Sequence, residues 1–321
     1  MKRVLLFLLI MFPALAMGQA PGSVSGPAMG YLFDRNLESL RPLAGIAGSA
    51  TVGAPIDLGF TMSLAVPLPD QRNVIASPSA GSFLVSIDMG TSPAVSHPIK
   101  GAAKSVSEIS VSPHGTAAAL SYASGQLVQV VTGLPYSPSI TLGITTTLIA
   151  APLRRVVVND DASALVMTFA ENDRETIYRW NRIEGYRLLA STVQVGALAF
   201  VGNADVVYAD SATNEVFLAR DVKRQSVTTF LAGPSDGVSG PTGAGVSIRN
   251  EILVANAGSG TVMVFDGDGR ILRTQQCDCH VSGMFPLSTD MFRLTDRFDQ
   301  TTYVLDVSES ENRILFIPPL Q

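Results

Sequence analysis

An all-β fold assembled from repeated four-stranded antiparallel sheets is what this sequence predicts, and three observations predict it. First, four strand-length runs lie between Gly243 and Thr274: Gly243–Ile248, Glu251–Asn256, Gly260–Asp266 and Arg270–Thr274. They are separated by Arg249-Asn250, Ala257-Gly258-Ser259-Gly260 and Asp266-Gly267-Asp268-Gly269, residues that tolerate tight turns. Second, in Ile252-Leu253-Val254 and Val262-Met263-Val264-Phe265 both alternating faces are apolar, so these strands must be covered on both sides. Third, a sheet that needs a neighbour on each face implies copies of itself. One apolar anchor per unit, Leu64, Ile109, Val156, Leu198, Val246 and Met284, recurs at intervals of 45, 47, 42, 48 and 38 residues. Those intervals fall in or near the roughly 40–50-residue period of propeller blades. The expectation is a β-propeller with six complete four-stranded blades over residues 61–321, forming a single domain with an N-terminal segment, 22–60.

Taken in order, the chain begins with Met1-Lys2-Arg3, an almost entirely apolar run from Val4 to Leu15, and small residues at Ala14-Leu15-Ala16. This is the pattern of a secretory signal peptide, residues 1–18, cleaved between Ala16 and Ala20. The run falls short of the roughly 18 residues a membrane-spanning helix needs, so no transmembrane segment is expected after cleavage. The expected location is periplasmic or extracellular. Loss of Lys2 and Arg3 leaves 20 basic against 27 acidic residues, a charge of −7. A mildly acidic surface with 15% charged residues excludes nucleic acid as the expected partner.

In the N-terminal segment, Met29–Asp34 and Ser39–Gly45 read as the third and fourth strands of a unit whose first two are missing. Two readings stand: a partial seventh blade, or a hairpin packed against a six-blade ring. Unit one follows with Ser63–Val66, Asn73–Ala76 and Ser82–Asp88. Unit two has Glu108–Val111, the turn Ser112-Pro113-His114-Gly115, Ala117–Tyr122, Gln126–Val131 and Ser137–Gly143. Proline at the second turn position presets its backbone angle and glycine closes the turn. In unit three Asn159-Asp160-Asp161 plays the same part before Ala164–Phe169, and Thr176–Trp180 places the single tryptophan in a packing position. Unit four runs from Ala197 to Phe230, a Gly-Pro-Ser-rich connection from Ala232 to Gly243 leads into unit five, and unit six ends with Thr302–Asp306 and Arg313–Phe316.

Pro241-Thr242-Gly243, Ile252–Ala257, Gly258-Ser259-Gly260-Thr261-Val262 and Val264-Phe265-Asp266 followed by Asp268-Gly269 resemble the NHL and YVTN-type repeats of β-propeller proteins. Tyr208–Ser211, Asn214-Glu215-Val216 and Leu231-Ala232-Gly233 repeat part of the pattern. The chain is thereby similar to secreted bacterial propellers of that kind. The resemblance implies the fold, whereas propellers host binding modules, scaffolds and unrelated enzymes alike.

Few residues carry chemistry. Both cysteines sit in Cys277-Asp278-Cys279-His280. In an exported chain an even cysteine count favours a disulfide between Cys277 and Cys279. Free thiols, or a soft-metal or redox site of Cys277, Cys279 and His280, are the alternatives, and such a metal would need a further ligand from elsewhere. Asp266–Gly269 superficially resembles the start of a calcium loop but lacks the distal ligands, and reads as a hairpin turn. His114 lies in a turn and His97 between strands. Near inner-strand ends the polar residues are Glu108, Asn159 and Asp160. The inner-strand residues Ile109, Val111, Val156, Val158, Leu198, Phe200, Val246 and Ile248 are apolar. No catalytic residue, metal site or cofactor is expected on this basis. The sequence favours a non-enzymatic exported scaffold that binds a protein, peptide or glycan with loops at one face of the ring. The alternative is a lactonase-like or quinoprotein-like enzyme with carboxylates at the channel mouth.

Overall fold

The computed structural model describes residues 27–79, 84–91, 93–122, 124–296, 300–309 and 311–319. The expected signal peptide lies outside them. The described chain is strand and turn with one short 3-10 segment, Pro234–Asp236. No helix among the described residues is long and apolar enough to cross a membrane.

Seven sheets form seven blades, each built from one continuous stretch of chain. This corrects the count of six with a partial seventh. Six sheets are four-stranded, and their innermost strands are Met62–Pro67, Val106–Val111, Leu153–Val158, Val195–Val201, Pro241–Val246 and Phe285–Pro286. The N-terminal sheet, Ala28–Asp34, Ser39–Ala44 and Thr51–Val52, takes the remaining place in the ring. Met29–Asp34 is therefore not an outer strand: Tyr31, Leu32 and Phe33 line the central channel.

That strand runs against the innermost strand of the second blade. Near its start, the Met29 carbonyl accepts from Gln71 Nε2 at 3.0 Å, in the turn that follows Met62–Pro67. Past its end, the Glu38 carbonyl accepts from the backbone N–H of Met62, the first residue of that neighbour, at 2.9 Å. The first blade's leading strand thus has the direction of a second strand elsewhere. Asp34, which ends it, accepts from the N–H groups of Asn36 and Leu37, as Asp210 at the end of the fifth blade's second strand does from Ala212 and Thr213. We call the face where the six innermost strands begin the upper face, and the one where they turn back the lower face.

Packing follows the alternation of side chains along each strand. In the sixth blade Ile252, Val254, Met263 and Phe265 enter the apolar cluster shared with the fifth blade. Leu253, Ala255, Val262 and Val264 enter the one shared with the seventh. Each of the seven clusters joins two consecutive blades, and the last, with Met29, Leu32 and Leu43 against Leu287, Val304 and Ile317, closes the ring. Trp180 packs at the interface of the third and fourth blades, as expected. Near the channel the blades taper, and glycine permits the approach. A Cβ on Gly196 would stand 1.9 Å from the Pro241 carbonyl oxygen, and one on Gly243 would stand 2.4 Å from the Met284 nitrogen.

Two smaller readings are corrected. Ile248 does not line an inner strand: the strand ends at Val246, Ser247–Asn250 turns with Asn250 at φ 59°, and Ile248 is 59% exposed. His97 lies within the exposed outermost strand Val95–Pro98 of the second blade. Asp266–Gly269 is the expected hairpin turn, with the Asp266 N–H donating to the Arg270 carbonyl and Asp266 Oδ1 accepting from the N–H groups of Asp268 and Arg270.

The double-sided packing predicts that Val264→Asp, which places an unpaired charge between two blades at a cost of several kcal/mol, abolishes soluble expression. Arg270→Asp, at an exposed turn, leaves it intact. Soluble yield and thermal unfolding of the two variants check this, and equal tolerance would be incompatible with the register.

Candidate functional site

The lower face spends its polar residues on joining blades. His114 Nδ1 lies 2.8 Å from Asp160 Oδ2, and the His114 N–H donates to Asp160 Oδ1 at 2.8 Å, which ties the third blade to the fourth. Asn159 is fully buried: its Nδ2 donates to the Asn203 carbonyl at 2.8 Å and its Oδ1 accepts from the Ala164 N–H. Lys223 Nζ reaches Asp161 at 2.7 Å. The Ile248 N–H donates to Asp290 at 3.0 Å, from the sixth blade to the seventh. Asn159 and Asp160 thus belong to the ring's framework and do not meet Glu108.

The central channel encloses a cavity of about 840 Å³. Its wall is mostly apolar, with Leu64, Val66, Ile109, Val158, Leu198 and Val246 contributed by five of the blades. Charged groups gather toward its upper mouth, while Ser112 and Ser288 line its lower end. The first blade gives Arg35 and Asn36 from the turn after Ala28–Asp34, the third gives Ser107 and Glu108, and the seventh gives Arg293 and Asp296. The reversed direction of the first blade's strand is what brings Arg35 to this end.

Arg293 sits on the short second strand of the seventh blade, Met291–Arg293, opposite Phe285 on the innermost strand. Its Cζ lies 4.5 Å from the centroid of the Phe285 ring, within cation–π range. Nη1 donates to the Thr295 carbonyl. Burial pushes the guanidinium pKa down to about 10; Asp296 opposes the shift and nearby Arg35 adds to it. At neutral pH the group remains charged.

Glu108 lies near the start of the third blade's innermost strand. Burial raises its carboxyl pKa above the ordinary value, against the opposing effects of the Arg155 guanidinium and of Ser121, whose Oγ is 3.5 Å from Oε2. Arg155 is itself anchored by a 2.8 Å bond from Nη1 to the Gly196 carbonyl. Ser107 and Glu108 also border a second groove of about 800 Å³ between the third and fourth blades, lined with hydroxyl groups that include Ser121, Ser124, Thr146 and Thr147.

Cys277 and Cys279 come to disulfide distance, Sγ–Sγ 1.92 Å, on the loop from the outermost strand of the sixth blade to the seventh. The Cys277 N–H donates to the Gly260 carbonyl at 2.8 Å, which places the loop on the upper face. Cys277 is buried in the apolar cluster between those blades, while His280 is exposed. Among the described residues, no group of three or more His, Cys, Asp or Glu side chains is placed to hold a metal ion.

Arg35, Asn36, Phe285, Arg293 and Asp296 belong to no motif. One signal was present. Arg293 interrupts the apolar run Met291-Phe292-Arg293-Leu294 at a second-strand position where other blades carry Val74-Ile75-Ala76, Ala118-Ala119-Leu120 or Val206-Val207-Tyr208.

No protein-family model matches the chain, and no curated protein matches it. Among solved structures it is similar to a functionally unknown protein from Desulfotomaculum acetoxidans DSM 771, at 12% identity and a TM-score of 0.56, over 91% of this chain and 100% of that one. It is similar to virginiamycin B lyase from Staphylococcus aureus, at 12% identity and a TM-score of 0.53, over 79% and 83%. It is also similar to Kuenenia stuttgartiensis hydrazine synthase, at 11% identity and a TM-score of 0.51, over 95% and 99%. At these identities the likeness is one of fold alone: a β-propeller.

The environment of Glu108 makes stability depend on pH. Its folded-state pKa is raised, so its favourable contribution is complete below the unfolded-state pKa and is lost as pH rises through the folded value. Glu108→Gln is therefore expected to melt at a higher temperature than the parent at about pH 8, with the difference shrinking toward about pH 4, where both side chains are neutral. Thermal unfolding across that range checks this; a difference independent of pH would contradict it.

Proposed function

We propose that this protein is an exported, non-enzymatic binding scaffold of the NHL/YVTN-repeat type, whose upper channel mouth takes an exposed group of a protein, peptide or glycan partner. One observation carries the reading. Charged side chains from three different blades gather at one end of a mostly apolar cavity of about 840 Å³, the size and chemistry of a ligand site. A rigid ring holds turn residues there in fixed relative positions, the arrangement in which loops recognise ligands. The enzyme alternative needs several carboxylates converging on one point. Among the described residues lining the channel the carboxylates are Glu108 and Asp296, on blades three and seven. Assignment to the repeat type rests on the residues of the fifth and sixth blades quoted above. Export rests on the basic start and the apolar run before Ala14-Leu15-Ala16.

Two measurements test this. Intact mass spectrometry of protein recovered from an exporting host is expected to show loss of residues up to a site between Ala16 and Ala20, with a two-hydrogen deficit for a Cys277–Cys279 bridge. An uncleaved mass would refute export. Arrayed peptides and oligosaccharides are then probed with wild type and with Asn36→Ala at the mouth and His97→Ala on an outermost strand. Captured ligands are expected to weaken with the first variant and to be retained by the second; the reverse would move the site away from the channel.

A further inference from the structure

We propose that the partner is a neutral glycan, which enters the upper mouth with one end of its chain and continues past Glu108 into the hydroxyl-lined groove between the third and fourth blades. The inference rests on the reading of the mouth as a ligand site and extends that site by a second compartment.

The channel cavity and the groove, of about 840 and 800 Å³, are bordered by the same two residues, Ser107 and Glu108, near the start of the third blade's innermost strand. Glu108 faces the groove as well as the channel, because its hydroxyl partner Ser121 lines the groove and not the channel. Among the described residues, Ser121 is the one side chain within hydrogen-bond distance of the Glu108 carboxylate, at 3.5 Å, and its Oγ stands 3.4 Å from that of Ser107. Both separations exceed the roughly 2.5–3.0 Å of an O–H···O bond, and an ionised carboxylate has about four acceptor positions. The three side chains thus keep most of their hydrogen-bonding capacity for a ligand. Sugar hydroxyls, each a donor and an acceptor at once, can use it. The groove also has an apolar part: Ile149, Ala151 and Leu153 line it while packing on the cluster between the third and fourth blades. A pyranose has the same two characters, hydroxyl groups around its edge and C–H groups on its faces. Charge selects a neutral chain. Glu108 disfavours an acidic sugar, while Arg154, exposed on the groove, and Arg155, whose charge acts on Glu108, disfavour an amino sugar. An extended peptide binds best along an open strand edge, and the strand that carries Ser121 offers none, since Ser121 pairs with Glu108 on one side and Val128 on the other.

The test uses chain length. For each of three neutral series, malto-, cello- and N-acetylchito-oligosaccharides, the dimer and the hexamer are titrated by calorimetry into the purified protein at about pH 8, above the ordinary carboxyl range. In at least one series the hexamer is expected to bind about tenfold or more tighter than the dimer, the gain of adding groove contacts to those at the mouth. Ser124→Trp, at an exposed position that lines the groove, is expected to bring the hexamer within about twofold of the dimer and to leave the dimer unchanged. Glu108→Gln is expected to weaken the hexamer severalfold. Asn36→Ala, at the mouth, is expected to weaken both lengths. Equal binding of the two lengths would overturn the second compartment while the mouth remained a sugar site, and so would a hexamer advantage that Ser124→Trp leaves intact. Saturable binding of no sugar in any series would overturn the proposal, whereas the reading of the mouth falls only if arrayed peptides fail as well.

Discussion

Every blade of this protein depends on apolar contact with two neighbours at once. The middle strands carry large apolar side chains on both faces, so an isolated sheet would expose one hydrophobic surface or the other to water. Stacking buries one face and creates the same requirement at the next blade; only a closed ring satisfies the last one. The seven clusters are seven solutions to that single demand, and the turns, polar links and channel are arranged around them.

The two ends of the channel are chemically distinct as a result. On the lower face, short turns between strands bring His114 to Asp160, Asn159 to Asn203 and Asp161 to Lys223. Their polar groups are consumed in holding blades in register. On the upper face, the turn after Ala28–Asp34 places Arg35 and Asn36 at the mouth, the start of Val106–Val111 places Glu108 there, and the register of a three-residue strand adds Arg293. Charged side chains are thus concentrated at the upper mouth, where Arg155 also ties the fourth blade to the fifth through the Gly196 carbonyl.

What was legible in the sequence was what short-range patterns encode. Two-sided apolar strands, turn residues and a recurring period identify four-stranded blades from Val106 to Gln276, and five of the six anchors lie on innermost strands. The neighbouring cysteines were legible as a pair because their juxtaposition is local. The N-terminal sheet was not. Met29–Asp34 states which of its faces are apolar, but neither its direction nor its place in the sheet, and both are set by contacts with Gln71, Met62 and Leu287 far along the chain. The mouth was hidden for the same reason. Glu108 was visible at a strand end, whereas Arg35 and Arg293 are more than 250 residues apart in sequence and become neighbours only when the ring closes.

That closure is made without any exchange of strands among the described residues: the first and seventh blades keep their own sheets and meet through side chains such as Leu32, Leu43, Val304 and Ile317. The ring therefore has a seam. Elsewhere two adjoining blades are also linked by a covalent connection, whereas here the join is held by packing. A molecule touching both the first and the seventh blade can bind only while the seam is shut. It would act as a latch, and occupancy and integrity of the ring would rise and fall together.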